Sequence, residues 1–340
     1  MEVLDARGRP LRNIRISVTD RCNLRCEYCM PEEEYAWLER PHILTFEEID
    51  RLVDAFIDVG VTKVRLTGGE PLLRPDLHLL VEMLAAKAEI RDLALTTNGV
   101  LLAKNVEALR RAGLSRLTVS LDTLQPERFT KLTRRSTHAA VLDGIRSVTA
   151  AGMRETKIDT VVMRGVNDDE LPDLLEFGRE VGAEVRFIEY MDVGGATRWS
   201  SDVVVSRAEI VRRLAARYGS VEEFERADSA PADRFALPDG TVFGVISATT
   251  QPFCASCDRG RLTADGQWYG CLYARNGIDL RTPLRAGESR DELAQRIRGI
   301  WRRRDDQGAV DQRARRDGRA RVGVTQLRLD PHLEMHTRGG

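Results

Sequence analysis

The 340-residue sequence predicts an α/β protein built on a parallel sheet. Short runs rich in β-branched and apolar residues alternate with longer runs of helical period. Glycines stand where several of those helices should stop, and 42% hydrophobic content is enough to bury a sizeable core. Six such strand-helix units suit an incomplete barrel. The pattern alone also allows an open doubly wound sheet.

The first strand is expected at 13–19. A helix at 45–59 follows, opened by Thr45 three residues before Glu48 in a capping-box pattern and closed by Gly60. The strand at 63–67 leads to a helix at 75–88, and the strand at 92–97 to a helix at 104–112 closed by Gly113. The strand at 116–120 precedes a helix at 139–151 closed by Gly152. The strand at 156–163 precedes a helix at 169–181 closed by Gly182, and the strand at 184–189 leads to the helical segment 207–218. A boundary is expected next, because 221–240 is polar and carries Pro231, Pro238 and the turn pair Asp239-Gly240. The division is therefore 1–220 for the strand-helix units and 221–340 for a C-terminal domain that covers the barrel's lateral opening. Residues 302–321 are dominated by Arg, Asp, Gln and Gly, a composition that reads as flexible or solvated.

A net charge of -1 gives no general attraction for nucleic acid or an acidic membrane, so an anionic ligand must be held by locally placed Arg and Lys. No apolar run approaches the length of a membrane span. The N-terminus is polar and charged with no apolar signal core, which predicts a cytoplasmic protein whose cysteines are not disulfides.

All six cysteines fall into two triads, Cys22-x3-Cys26-x2-Cys29 and Cys254-x2-Cys257-x13-Cys271. A structural zinc or an electron-transfer cluster normally has a full set of protein ligands, whereas three thiolates on a 4Fe-4S cluster leave one iron open. The five histidines, His42, His78, His138, His332 and His336, all lie away from both triads in sequence. Taken by itself, the second triad reads as zinc or iron-sulfur alike.

The first triad, with Tyr28 before its last cysteine, resembles the signature of the radical S-adenosylmethionine (SAM) enzymes. Together with the second triad and the Gly339-Gly340 terminus, the chain from about residue 13 onward resembles the GTP 3',8-cyclases within that superfamily, most weakly over 302–322. The resemblance favours a partial (βα)6 TIM-like barrel with a C-terminal domain carrying a second iron-sulfur cluster. It implies a lyase with two 4Fe-4S clusters, one on Cys22, Cys26 and Cys29 and one on Cys254, Cys257 and Cys271. SAM would be met by Tyr28, by Gly69 in the segment Thr67-Gly68-Gly69-Glu70-Pro71, by Ser120 and by Met191. Turn chemistry by itself reads that segment as a plain strand-to-helix turn. GTP would be met by Arg15, Arg65, Thr96, Lys157 and Arg259-Gly260-Arg261. With 52 Lys plus Arg any single cation is uninformative, and cations at strand positions carry more weight. In an extended loop, Arg259 and Arg261 point to one side and can grip a triphosphate. Arg259, Arg261, Gly339 and Gly340 are the residues expected to serve catalysis, the side-chain-free tail threading into the active site. Arg338 stands where the family usually has Ile, its charge facing a phosphate or solvent.

The reaction so implied starts with reductive cleavage of SAM to a 5'-deoxyadenosyl radical, which takes a hydrogen from C3' of GTP. The carbon radical attacks C8 of guanine, and reduction gives 3',8-cyclo-7,8-dihydro-GTP, the first step toward molybdopterin. Partners implied are the GTP substrate, an external electron donor and a downstream cyclic pyranopterin monophosphate synthase, with the chain a monomer or homodimer. No phosphate-loop motif is present, so this is not a P-loop GTPase. A peptide-modifying radical SAM enzyme would share the first triad but typically needs more C-terminal cysteines. A non-enzymatic metal scaffold would gain nothing from Arg259 and Arg261.

Overall fold

The computed structural model describes residues 2–32, 35–225, 229–315 and 322–339. Six strands, β1 (Asn13–Ser17), β2 (Lys63–Thr67), β3 (Asp92–Thr97), β4 (Arg116–Ser120), β5 (Lys157–Val162) and β6 (Glu184–Glu189), pair in parallel in chain order. Helices lie between them, as the periodicity predicts. Helix Phe46–Ile57 opens with a complete capping box: the Thr45 hydroxyl accepts from the Glu48 amide at 3.2 Å, and the Glu48 carboxylate accepts from the Thr45 amide at 2.8 Å. Helices Leu77–Ala85, Leu102–Arg111, His138–Ala150, Leu171–Glu180 and Arg207–Tyr218 occupy the other expected positions. Gly60, Gly113, Gly152 and Gly182 all have positive φ, which is what ends those helices. Helix Pro126–Thr133, after β4, is an addition the pattern did not signal.

The later strands are β7 (Glu222–Glu223), β8 (Asp233–Ala236), β9 (Val242–Ile246), β10 (Arg259–Leu262), β11 (Gln267–Tyr269) and β12 (Ile278–Asp279). They extend the six-stranded core at both edges, in the order β12-β11-β10-β1-β2-β3-β4-β5-β6-β9-β8-β7. β10 runs parallel to β1, β9 runs parallel to β6, and the outer pairs are antiparallel. Arg259 and Arg261 thus lie on a strand rather than in the expected loop, with Arg261 in register beside Arg15. The i, i+2 spacing still turns both to one side.

Alternation along the core strands decides which sheet architecture this is. Ile14, Ile16, Val64, Leu66, Leu93, Leu95, Leu117, Val119, Ile158, Val185 and Phe187 are all buried in one apolar core beneath the helices. The alternate positions carry Arg15, Arg65, Thr96, Ser120, Lys157, Asp159 and Arg186. A doubly wound sheet would bury apolar residues on both faces. Here one face is polar, as the inner wall of an open barrel with a ligand cavity requires.

Of residues 302–321, those at 302–314 are exposed or half-buried, in keeping with their composition, except for Arg304. Helix Arg290–Arg302 runs to the start of this stretch, helix Gly308–Arg315 lies within it, and Arg304 is buried in ion pairs. Composition missed this because a buried Arg with carboxylate partners reads the same as a solvated one. Residues 316–321 lie outside the described residues. Among the described residues, no helix is long and apolar enough to cross a membrane.

Candidate active site

A cavity of about 310 Å³ opens at the C-terminal ends of the core strands, and all six cysteines line it. The two triads come from distant segments, one from the loop after β1 and the other from the turn before β10 and the segment after β11. Tyr28, Gly69, Ser120, Met191, Arg15, Thr96, Arg259 and Arg261 line the same space. Arg65 and Lys157 line an adjoining cavity of about 860 Å³, which shares Arg15, Asp159 and Arg259 with the first. Gly260 faces the other way: a Cβ there would meet Trp268 Nε1 at 2.7 Å and Ile14 Cδ1 at 3.2 Å.

The loop carrying the first triad is pinned from several sides. The Arg25 amide donates to Thr133 O at 2.9 Å and the Glu27 amide to Leu132 O at 3.0 Å, tying the loop to helix Pro126–Thr133. Tyr28 donates its hydroxyl to Asp122 Oδ2 at 2.7 Å. The Gly69 amide donates to Thr19 O at 2.9 Å and the Glu70 amide to Arg21 O at 2.8 Å. A Cβ on Gly69 would lie 2.4 Å from Arg21 O, so only glycine permits this approach. Glu70 is wholly buried and accepts from the Leu72 amide, the Thr97 hydroxyl and the Asn98 amide; burial pushes its carboxyl up to about 7.

Burial pushes the Cys22 thiol up to about 11 and raises Cys26 and Cys29 further. Three thiols that burial disfavours as lone thiolates fit a cationic iron-sulfur core, which supplies the missing counter-charge. In the second triad, burial likewise pushes Cys271 up to about 11. Burial would raise Cys257 too, but the charges of Arg259 and Arg304 hold it below its ordinary value. Among the described residues, no three His, Cys, Asp or Glu side chains converge tightly enough to hold a single metal ion.

The cations on the barrel floor repel one another. Burial and the charges of Arg261 and Arg259 push Arg15 down to about 9, and burial with Arg15 and Arg116 pushes Arg65 down to about 9. Burial and Arg259 push Arg261 down to about 10, while burial, Arg186 and Arg116 push Lys157 down to about 8. Arg65 is oriented by donating to the Thr96 and Thr118 hydroxyls, each at 3.0 Å. Such a field disfavours each cation until a polyanion joins it. Lys63, Arg116, Arg186 and Asp159 also line the larger cavity and were not among the expected residues. Their signal was available, because each sits on the polar alternate of an otherwise apolar strand.

The C-terminal tail enters this space. Ser17 Oγ donates to Thr337 O at 2.9 Å, and Arg261 Nη1 donates to the carbonyls of Arg338, at 3.1 Å, and Gly339. Gly340 lies outside the described residues. Arg338 does not face solvent, one of the two expected positions: it is buried over the Tyr269 ring at 4.3 Å and donates to Leu272 O at 2.7 Å and to His332 O. A guanidinium tolerates burial where an aromatic face and carbonyls receive it. His336, remote in sequence from both triads, lines their shared cavity, with its Nδ1 3.2 Å from Glu334 Oε2 and its ring edge-on to Tyr35.

Residues 16–178 match the radical SAM superfamily, and residues 183–310 match the molybdenum cofactor synthesis C family. Over 344 residues the chain is 56% identical to GTP 3',8-cyclase 1 of Mycobacterium tuberculosis (strain ATCC 25618 / H37Rv), covering 100% of this chain and 96% of that one. It is 48% identical over 314 residues to GTP 3',8-cyclase of Acidothermus cellulolyticus, covering 89% and 87%. It is 42% identical over 306 residues to GTP 3',8-cyclase of Aquifex aeolicus, covering 89% and 93%. The crystal structure of Streptococcus suis SuiB bound to S-adenosylmethionine superposes with a TM-score of 0.59 at 16% identity, over 90% of this chain and 68% of that one, a likeness of fold alone.

Proposed function

The chain belongs to the GTP 3',8-cyclase family of radical SAM enzymes, and from that premise we propose that it converts GTP to (8S)-3',8-cyclo-7,8-dihydroguanosine 5'-triphosphate in the first step of molybdopterin biosynthesis. Membership in that superfamily brings SAM and an iron-sulfur cluster. The observation that carries the reading is the single cavity lined by both cysteine triads and by cations that repel one another.

In this reading Cys22, Cys26 and Cys29 hold the first 4Fe-4S cluster, and Tyr28, Gly69, Ser120 and Met191 surround SAM. When bound, that pair supplies one-electron cleavage of a carbon-sulfur bond and so a 5'-deoxyadenosyl radical. Cys254, Cys257 and Cys271 hold a second 4Fe-4S cluster against which the guanine is fixed. Arg15, Arg65, Lys157, Arg259 and Arg261 grip the triphosphate, with Thr96 beside Arg65. Their task is orientation: C3' and C8 must stay close while a radical exists, and water must stay out. Gly339 closes the cavity beside Arg261, and the Gly339-Gly340 pair serves catalysis. The external electron donor supplies the electron for SAM cleavage and the one that, with a proton, completes reduction of the cyclised product. That product passes to a cyclic pyranopterin monophosphate synthase. The chain acts in the cytoplasm as a monomer or homodimer.

Anaerobic reconstitution tests this. The expected protein carries about eight irons with matching sulfide, and forms 5'-deoxyadenosine in the presence of dithionite, SAM and GTP. About one zinc and no sulfide at the second triad, together with no GTP-dependent 5'-deoxyadenosine, would reject it.

A further inference from the structure

The N-terminal segment before β1 lies outside both matched family regions, yet it reaches the second cysteine triad. Asp5, Arg9 and Arg304 are all buried, at 6%, 2% and 8% exposure. Arg9 Nε donates to Asp5 Oδ2 at 2.7 Å, and Arg304 Nη1 donates to the same oxygen at 3.2 Å. Asp5 Oδ1 accepts from the Arg7 and Arg9 amides, each at 2.9 Å. The carboxylate therefore fixes two guanidinium groups at once.

Each guanidinium then turns toward a cysteine of the second triad. Arg9 Nη1 donates to Cys254 O at 2.9 Å, and Arg304 Nη1 donates to Cys257 O at 3.1 Å. Arg9 Nη1 also donates to Asp306 O at 2.9 Å, and Arg304 pairs with the Asp306 carboxylate at 3.2 Å. The Arg304 guanidinium carbon lies over the Trp301 ring at 4.4 Å, and Trp301 Nε1 donates to Arg9 O at 3.0 Å. Burying three charges is costly, and apolar residues would close the chain terminus as well. What ionic groups add here is direction, because both cations end on the main chain of the triad.

We propose that Arg304, fixed with Arg9 by Asp5, is a positioning residue for the second iron-sulfur cluster, holding the Cys254–Cys257 turn and setting the reduction potential of the cluster. The inference rests on the two-cluster reading above. A positive charge held against the turn that carries two ligand sulfurs favours the reduced, more negative cluster, so its removal shifts the potential in the negative direction.

The test uses the full chain carrying Cys22→Ala, Cys26→Ala and Cys29→Ala, so that only the second cluster contributes. Arg304→Gln, Arg304→Lys and Asp5→Asn are introduced into it, and each protein is reconstituted anaerobically, assayed for iron, titrated potentiometrically and examined by electron paramagnetic resonance when reduced. The expected result is about four irons in the parent, a more negative potential and altered resonance in Arg304→Gln, and a smaller change in Arg304→Lys. Loss of iron in Arg304→Gln that Arg304→Lys restores also supports the proposal. An unchanged potential and resonance in Arg304→Gln, or equal loss of iron in both Arg304 variants, overturns it. A parent without iron, when the intact chain holds about four, overturns the two-cluster reading itself and this inference with it.

Discussion

Arg261 Nη1 donates to the main-chain carbonyl of Arg338 at 3.1 Å, so a side chain that points at the proposed substrate also anchors the C-terminal tail. Arg261 stands in register beside Arg15 on the neighbouring strand, and with burial its charge lowers the affinity of Arg15 for its proton. The tail carbonyls place partial negative charge where two cations meet. They are also neutral and compact, which leaves the cationic floor available to a polyanion.

Gly339→Ala tests the fit of the tail. Gly339 has φ of 71°, and a Cβ there would lie 2.4 Å from Thr67 Cγ2 and 2.9 Å from Ser17 Oγ. Backbone strain of about 1–3 kcal/mol displaces the tail or distorts its contact with Arg261. Product formation is expected to fall roughly tenfold or more, while iron content and SAM affinity hold. Unchanged turnover would show that the tail contact has no role in the reaction.

Lys157, as a proposed GTP contact, is expected to make GTP binding pH-dependent. Burial and the charges of Arg186 and Arg116 push its ammonium down to about 8, so it is charged at neutral pH and loses its charge as pH rises through that value. Affinity for GTP should fall about tenfold between pH 7 and pH 9, and binding above pH 8 should draw protons from the buffer. Calorimetry in two buffers of different ionisation enthalpy reads the uptake. Lys157→Arg, whose guanidinium holds its proton to higher pH than an ammonium in the same place, is expected to reduce the pH dependence.

Asp122 fixes Tyr28 at the proposed SAM site. Its Oδ2 accepts from the Tyr28 hydroxyl at 2.7 Å and its Oδ1 from the Val161 amide at 2.9 Å. Asp122→Ala leaves two half-buried donors unpaired, at about 1 kcal/mol each. SAM affinity measured by equilibrium dialysis should weaken on the order of tenfold, with first-cluster iron retained. Tyr28→Phe removes one hydrogen bond and should cost less.

Much of this was legible in the sequence because it is local. The capping box at Thr45 and the four glycine stops are read within one turn of helix. The first triad needs only eight consecutive residues. Non-local relationships were harder. Nothing in 259–261 says that these residues pair with β1, which is why a strand read as a loop. Arg304 and Arg338 looked like surface cations because composition cannot show that Asp5 and the Tyr269 ring await them. His336 was set aside for its distance in sequence from the cysteines, although the tail brings it to their cavity. The polar alternates on β2, β4, β5 and β6 were readable and went unused for Lys63, Arg116, Asp159 and Arg186. That same alternation would have favoured a barrel over a doubly wound sheet without any family resemblance.

Cys254→Ser separates the two proposed clusters. Cys254 is buried, and its main-chain carbonyl, not its thiol, accepts from Arg9. Serine keeps that carbonyl and nearly the same volume, so the turn stays anchored while one ligand sulfur is lost. The first triad lies on a separate loop, held by Thr133, Leu132 and Asp122, none of which touches Cys254 through a hydrogen bond described here. Iron should therefore fall from about eight to about four per chain, and cleavage of SAM uncoupled from GTP should remain measurable. Turnover of GTP should drop on the order of a hundredfold, because a substrate displaced by even an ångström loses the alignment of C3' with C8. Quantifying 5'-deoxyadenosine and the cyclised product in the same reaction gives both rates. Equal loss of the two would mean that the second triad supports the first cluster rather than the substrate.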